Sequence, residues 1–417
     1  MARDVYMVTG GVSKFAKAHT SRDSRYLVKE ALDYALSDVG MDVSDIDGSV
    51  GAYFSEHFQR QLLGTAMVHD YLGLNPKPHK RVEGGGATGG LAFQAAYEEV
   101  ASGRMDVCLV FGFENMSHVS TWKGNEFIAM ASDMNFDYPV GGFYTAYYAM
   151  MAVRHMHQFG TTVEQMAKVS VKNHGNARYN RYAQSPMEIT VEDVRRAPMI
   201  SYPFTRLDVC TMSDGAAVAI LASEDRAFQY TDRPTRIEAI GSGSDTMRLS
   251  DRPRGKVPLL PHEEAEWYRD LDYPGLHNFR AARVAAIEAY KKAGIEDPAE
   301  QVDFMEVHDA YTSLELQLYE DLGLARIGHG GELLDSGFTE MGGKVPVNPS
   351  GGLLGCGHAI GATGIMLSVF THWQLQHSVE KHLGSGRLQV PNAKRGLVLD
   401  LAGTGTLITV TVMGASR

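Results

Sequence analysis

An α/β protein built from two similar halves is what the sequence predicts, on three observations. Apolar runs of β type alternate with segments of helical spacing from one end to the other. A glycine-rich loop leading into a small-residue helix and then an apolar strand occurs twice. It reads G-G-G-A-T-G-G-L-A-F-Q-A-A from Gly84 and G-H-A-I-G-A-T-G-I-M-L-S-V from Gly357. The 417 residues are 44% apolar, enough to bury a large core without covalent staples. Two such loops in a duplicated α/β body are expected to meet at a site between the halves.

The elements follow in order. Residues 5–9 are rich in β formers, 26–36 have helical spacing, 49–54 are again β-like, and 58–71 read as helical. After the first glycine-rich loop, 91–100 have helical spacing. Residues 106–114, D-V-C-L-V-F-G-F-E, form an uninterrupted apolar run of the kind that makes a central parallel strand, with Cys108 as a core residue. From residue 115 to about 206 the pattern changes to aromatic and methionine-rich segments, a helix through His155, and another at 163–173. This reads as an insertion covering one end of the sheet. The strand at 213–223 returns to the sheet. The second half begins near Pro234 with a strand, a helix at 278–293, a strand at 303–307 and a helix at 310–322. A buried helix at 359–376 and strands at 396–401 and 406–412 close it. The expected division is 1–114 with 207–233, an insertion at 115–206, and a second half at 234–417.

Composition narrows the function classes. The formal net charge of -11, with no basic tail or stripe, argues against nucleic acid. No apolar run is long enough to span a bilayer, and the first residues show no basic-then-apolar leader, so a soluble protein is expected. Cys108, Cys210 and Cys356 are far apart and form no C-x-x-C pair, which points to neither disulfides nor zinc and fits a reducing cytoplasm. Lys123, Arg178 and Arg181 are too scattered to form an anion site. His155, His157 and His174 have no partner at ligand spacing, so no metal is expected.

The stretch 347–364, V-N-P-S-G-G-L-L-G-C-G-H-A-I-G-A-T-G, is where chemistry is expected. Glycine this dense permits backbone to approach a ligand, which makes Asn348, Gly351 and Gly352 candidate substrate contacts. His358 is the strong acid/base group of the loop, and the helix after it points its positive end back at it. The plainer alternative is a tight strand-to-helix turn around a packed histidine.

These residues, together with V-H-D-A-Y-T-S at 307–313 and S-D-G-A-A-V-A-I-L from 213, resemble the thiolase superfamily. The similarity is greatest to the sterol-carrier-protein type and its archaeal and bacterial relatives. The insertion from Met150 to His174 is similar too. The resemblance implies a thiolase-like fold, two duplicated α/β halves in αβαβα layers with a covering loop. It also implies acyl-CoA chemistry in which coenzyme A is part of the substrate and no cofactor is covalently bound. His358 matches the histidine that activates a nucleophilic cysteine in thiolases, and His308 matches the residue that holds the oxyanion donor. Gly403 and Gly405 lie in the closing loop L-A-G-T-G, which in the family supplies backbone contacts beside the reacting carbon. Relatives of this type suggest a homodimer and a small zinc-ribbon and oligonucleotide-fold (OB-fold) partner that binds acyl-CoA.

One departure matters more. Where the family usually reads V-E-x-x-C-A-[ST]-G, this chain has Val82 to Gly89 with Gly86 at the cysteine position; the family's second cysteine is missing as well, since the closing loop has none and the alternative place within the histidine motif is Ala310. Glycine cannot attack a carbonyl. Cys356, two residues from His358, is a candidate proton carrier or substitute nucleophile, or simply packs; Cys210 reads as structural. Tyr311, where the family usually has phenylalanine, is a candidate proton donor one helical turn from His308, or packs as phenylalanine would. Three readings follow. The first is retro-aldol cleavage of a β-hydroxyacyl-CoA without an acyl-enzyme, as in the steroid side-chain aldolases. The second is a thiolase or acetyl-CoA acyltransferase subunit, active or silent beside a partner. The third is a non-enzymatic acyl-CoA-binding scaffold. Under the first two, imidazoles 308 and 358 are expected to converge from opposite halves, and Gly86→Cys is expected to restore thiolysis if the remaining apparatus is intact.

Overall fold

The computed structural model describes residues 3–271 and 276–416. Nine strands form the large sheet: β1 (Val5–Val12), β2 (Gly48–Ala52), β3 (His79–Val82), β4 (Val107–Asn115), β5 (Asp214–Ser223), β6 (Thr235–Ser244), β7 (Phe304–Val307), β8 (Arg395–Ala402) and β9 (Leu407–Ala415). Their order is β3-β2-β4-β5-β1-β6-β9-β8-β7.

The duplication is visible in the pairing. In the first half β2 runs parallel to β4, β4 antiparallel to β5, and β5 antiparallel to β1. In the second, β7 runs parallel to β8, β8 antiparallel to β9, and β9 antiparallel to β6. β3 is the extra strand, parallel to β2 at the outer edge. Within the sheet the two halves pair through Tyr6 and Met7 of β1 against Arg236 and Thr235 of β6, so each half-sheet can fold over the helices between them.

The helices that build the layers and the site are α1 (Ser24–Val39), α2 (Thr88–Ala101), α3 (Thr121–Ala129), α4 (Tyr144–Phe159), α5 (Val163–Ala177), α6 (Arg280–Ala293), α7 (Thr312–Asp321) and α8 (Ile360–Leu375). α1 starts at Asp23, whose carboxylate accepts from the Arg25 and Tyr26 N–H groups, and stops at the left-handed Gly40. It covers the outer face of β1 and β5, and α6 covers β6 and β9. Between the half-sheets lie α2 and α8, which pack on each other and on strands of both halves, giving helix-sheet-helix-sheet-helix layers. Every residue of α8 is buried, as expected of a helix enclosed on all sides. Their crossing depends on glycine: a Cβ on Gly89 would lie 2.6 Å from the Gly364 backbone nitrogen. The repeated A-T-G of the two loops is therefore a close helix contact.

Two expectations about elements are corrected. Residues 58–71 are not one helix, because Arg60 and Leu63 adopt left-handed conformations that split the segment into Glu56–Gln59 and Gly64–Tyr71. The apolar strand β4 is parallel to β2 on one side only and antiparallel to β5 on the other; continuous apolarity reports burial of both faces, not direction. Residues 115–206 add no strand to the large sheet and carry α3, α4, α5 and a small hairpin, Met199–Ser201 with Phe204–Thr205.

Candidate active site

His308 directly follows β7. Its backbone N–H donates to the Leu399 carbonyl, and its Nδ1 lies 2.8 Å from Asp400 Oδ1. Asp400 sits in β8 and is buried; its other oxygen accepts the Gly90 N–H at the start of α2. One carboxylate thus ties β8, α2 and the imidazole together. Because it accepts from Nδ1–H, the Nε2 of His308 is left for the site.

His358 precedes α8 by two residues. Its Nδ1 lies 2.8 Å from the Thr363 hydroxyl, which itself donates to the Ala359 carbonyl. With that hydroxyl proton committed, Thr363 accepts from Nδ1–H, so Nε2 carries the lone pair. Burial, and then the neighbouring His308, push the His358 imidazolium well below the ordinary histidine range. The neutral base is the favoured form. The two rings stand edge to face with centroids 4.9 Å apart.

The histidines do not come from opposite halves. Both belong to the second half, on the loops after β7 and before α8. The first half contributes the segment between them: Val209 pairs with Tyr311, the Cys210 N–H donates to Ala310, and the His358 N–H donates to Thr211 and lies 2.9 Å from Ser213 Oγ. It also contributes Gly86, at the end of the first glycine loop.

The rings face a cavity of about 280 Å³. Its floor includes Gly86, Leu401, Gly403, Cys210 and Ile360, and its wall is drawn from the insertion: Trp122, Asn125 and Ile128 of α3, with Phe143, Tyr144, Thr145 and Tyr148 on and beside α4. Tyr311 lines it as well. Residues 308–311 are not helical, however: Tyr311 is the N-cap of α7, so it is not one helical turn from His308. Its ring stacks on Tyr148 at 4.4 Å, its hydroxyl lies 3.2 Å from that of Thr145, and burial pushes its phenol up. Tyr148 donates to the Gly403 carbonyl at 2.7 Å, closing the insertion onto the last glycine loop.

Several expected site residues are placed elsewhere. The Cys356 thiol is buried against Asn180 Nδ2 and the Ser350 carbonyl, each at 3.4 Å, and burial raises it well above the ordinary thiol range. It does not line the cavity. Asn348 accepts the Val307 N–H and donates to Glu315, which positions the strand that delivers His308. Gly351 and Gly352 pack against Ala177 and the Asp309 carboxylate. Glycine density here serves close protein packing, not ligand approach. Gly405 faces Phe279, away from the cavity that Gly403 lines.

Sequence reasoning missed Asp400 and Glu114, and read Cys210 as structural where it lines the cavity. Both acids had a signal: a single carboxylate inside or at the end of an apolar strand, L-V-L-D-L-A and V-F-G-F-E, is costly unless it has a structural task. Glu114 accepts from the Phe54, Ser55 and Gly361 N–H groups, anchoring the start of α8 beside the cavity. Burial pushes its carboxyl up to about 8 while those N–H groups pull the other way. Cys210 is the cysteine among the described residues that lines the cavity, with its thiol pushed up to about 12 by burial and Asp309. Among the described residues no cluster of three or more potential metal ligands occurs, and no helix is long and apolar enough to cross a membrane.

Comparison with known proteins follows the same lines. Residues 5–225 match the thiolase N-terminal domain and residues 266–415 a thiolase C-terminal domain-like family. The chain is 36% identical over 411 residues to an acetyl-CoA acetyltransferase of Methanothermobacter thermautotrophicus, covering 98% of this chain and 99% of the relative. It is 31% identical over 423 residues to sterol carrier protein 2 of Gallus gallus, covering 99% and 72%. Among solved structures, the Ltp2-ChsH2(DUF35) aldolase superposes with a TM-score of 0.79 over 100% of this chain and 99% of that one, at 24% identity, which shows a shared fold. With both thiolase domains matched and relatives above 30% identity along its length, the chain belongs to the thiolase superfamily, in its sterol-carrier-protein-2-type branch.

Proposed function

We propose that this member of the superfamily makes or breaks an acyl-CoA carbon-carbon bond without a covalent acyl-enzyme, by retro-aldol cleavage of a β-hydroxyacyl-CoA. The observation that carries the reading is at residue 86. A Cβ there would collide with the Leu401 carbonyl oxygen and stand 3.4 Å from His308 Cε1. The strand end has closed over the space a nucleophilic side chain needs, while both imidazoles remain turned to the cavity.

Retro-aldol cleavage needs a base for the β-hydroxyl proton and a donor for the enolate oxygen. His358, held neutral with a free Nε2, takes the proton. As the Cα–Cβ bond breaks, its electron pair moves into the thioester enolate and an aldehyde or ketone departs. His308 donates from Nε2 to the enolate oxygen, and Asp400 at Nδ1 stabilises the doubly protonated ring this requires. Protonation at Cα then releases the shortened acyl-CoA, so the step needs no oxidant.

A second reading, acyl transfer, is favoured by Cys210 beside the histidines and by the acetyltransferase relative. A thiol pushed up to about 12 is a weak nucleophile at neutral pH. The separating experiment offers the purified protein a β-hydroxyacyl-CoA and, separately, a β-ketoacyl-CoA with free CoA. Aldehyde or ketone release supports the retro-aldol reading; thiolysis in its place overturns it.

The assembly proposed is a homodimer joined through the β3 edge, with a small zinc-ribbon and OB-fold subunit that holds the CoA nucleotide. An open edge strand favours pairing. Among the described residues no lysine or arginine lines the cavity, and Lys123 on α3 is paired with Glu126, which favours a partner as the source of cations for the phosphates. Sedimentation as a lone monomer would contradict the dimer.

A further inference from the structure

The cavity selects by what it lacks as much as by what it holds. Among the described residues its lining contains no aspartate, glutamate, lysine or arginine, and its polar groups beside the histidines are neutral: Asn125, Thr145, Cys210 and tyrosine hydroxyls. A second carboxylate on the acyl group would enter with no lysine or arginine among the described lining residues to meet it, and His308 is already committed to Asp400 and the thioester oxygen. Six aromatic rings, Phe54, Trp122, Phe143, Tyr144, Tyr148 and Tyr311, form much of the wall. Its volume, about 280 Å³, is roughly twice the ~150 Å³ that admits one benzene molecule in an engineered protein cavity. That leaves room within the walls for one ring and the reacting carbons; fused rings or a long alkyl chain would extend through the open side, outside the aromatic contacts.

We infer that the acyl group taken by this cavity is compact, uncharged and aromatic, a β-hydroxy-β-arylpropanoyl thioester being the type. The inference rests on the reading of the site as one for acyl-CoA and narrows it to one acyl class. In the proposed cleavage, 3-hydroxy-3-phenylpropanoyl-CoA gives benzaldehyde and acetyl-CoA: the hydroxyl proton leaves with the base, the Cα–Cβ bond breaks, and Cα receives a proton. Ring contacts with Trp122 and Phe143, themselves stacked at 6.4 Å, supply the preference over an aliphatic chain of similar size.

The test separates binding from turnover. Calorimetric titration of the protein, with any subunit that co-purifies, uses acyl-CoAs lacking the β-hydroxyl: 3-phenylpropanoyl, hexanoyl, succinyl and palmitoyl. The expected result is binding of the phenyl compound roughly two- to tenfold tighter than hexanoyl, with succinyl and palmitoyl no tighter than hexanoyl. Trp122 is 79% exposed, so Trp122→Ala leaves the core intact, and it is expected to bring the phenyl-to-hexanoyl ratio toward one. Equal or tighter binding of succinyl-CoA or palmitoyl-CoA than of the phenyl compound, a ratio unchanged in Trp122→Ala, or no binding of any of the four overturns the inference. Turnover is then scored with 3-hydroxy-3-phenylpropanoyl-CoA and 3-hydroxybutanoyl-CoA. Aromatic preference in binding without benzaldehyde release supports the acyl class while the retro-aldol reading fails. Acetaldehyde release without aromatic preference overturns the acyl class while that reading stands.

Discussion

The backbone carbonyl of Leu401 occupies the space into which a side chain at Gly86 would project. The glycine is therefore part of how β8 ends against the first glycine loop, and the loss of the family's cysteine is a change of backbone packing as well as of chemistry. Gly86→Cys is expected to lose about 1–3 kcal/mol of stability through overpacking and to gain no thiolysis. Gly86→Ala, with no sulfur, is expected to lose a similar amount. Thermal melts of both variants and a thiolysis assay check this; a stable Gly86→Cys with thiolase activity would show that the loop and strand separate easily.

Tautomer control gives the second prediction. Asp400→Asn keeps the shape but presents an amide to His308, and kcat for the proposed cleavage is expected to fall ~10²–10⁴-fold. Thr363→Val removes the acceptor for His358 Nδ1–H and is expected to cost on the order of 10–100-fold, with Thr363→Ser restoring most of it. Steady-state kinetics across pH distinguishes this from a packing defect, since a freed His358 ring shifts the acid limb and a merely loosened core does not.

How much of this was legible follows from which signals are local. The duplication could be anticipated from the repeated loop-helix-strand pattern, though not the antiparallel pairings within each half, and His308 and His358 from their motifs. The helix break at Arg60 and Leu63 could not, because neither residue type announces a left-handed backbone. Glycines 351 and 352 misled because dense glycine means close approach without saying to what. Cys210 reads as structural in the sequence because its neighbours at the site, Ala310 and His358, lie 100 and 148 residues away along the chain. Only the fold brings the segment at 209–212 between them.

Opposed buried groups predict a stability optimum. His358 lies well below its usual range, and burial takes His79 and His382 down to about 4 and His372 to about 3. These folded values lie below the unfolded value near 6.5, so the unfolded chain binds protons first and stability is lost as pH falls from about 6.5 toward 4. Glu114, Glu306 and Asp321 are pushed up to about 8 by burial. Their contribution is present below the unfolded carboxyl range and is lost as pH rises toward 8. Tm is expected to peak near about pH 6–7 and fall on both sides, as scanning calorimetry at constant ionic strength can measure. The acid limb of kcat/KM is expected below pH 6.5, since His358 stays neutral there.

Glu114 connects β4 to the floor of the cavity. Its two oxygens accept three backbone N–H groups, from Phe54, Ser55 and Gly361, and a carboxamide in the same place would turn N–H₂ toward donors. Glu114→Gln is expected to cost about 1–3 kcal/mol and to raise KM more than it lowers kcat, because Phe54 and Ile360 line the cavity while the histidines keep their own partners. Denaturant melts and the KM-against-kcat split read the two effects separately.

Cys210 separates the two chemistries most cleanly. It lines the cavity near His358, so a covalent route on this chain would have to use it, and Cys210→Ala would then abolish turnover. Without a covalent intermediate the thiol is only part of the wall. Cys210→Ala is then expected to retain activity within about threefold, the change coming from a small loss of packed surface. Alkylation gives an independent reading. With its thiol pushed up to about 12, Cys210 has little thiolate at pH 7, so iodoacetamide should react slowly and faster as pH rises toward 10. Rapid inactivation at pH 7, protected by acyl-CoA and absent in Cys210→Ala, would establish an activated nucleophile and remove the case for retro-aldol cleavage. Slow labelling with activity preserved in the variant would leave the imidazole pair as the chemistry of the site.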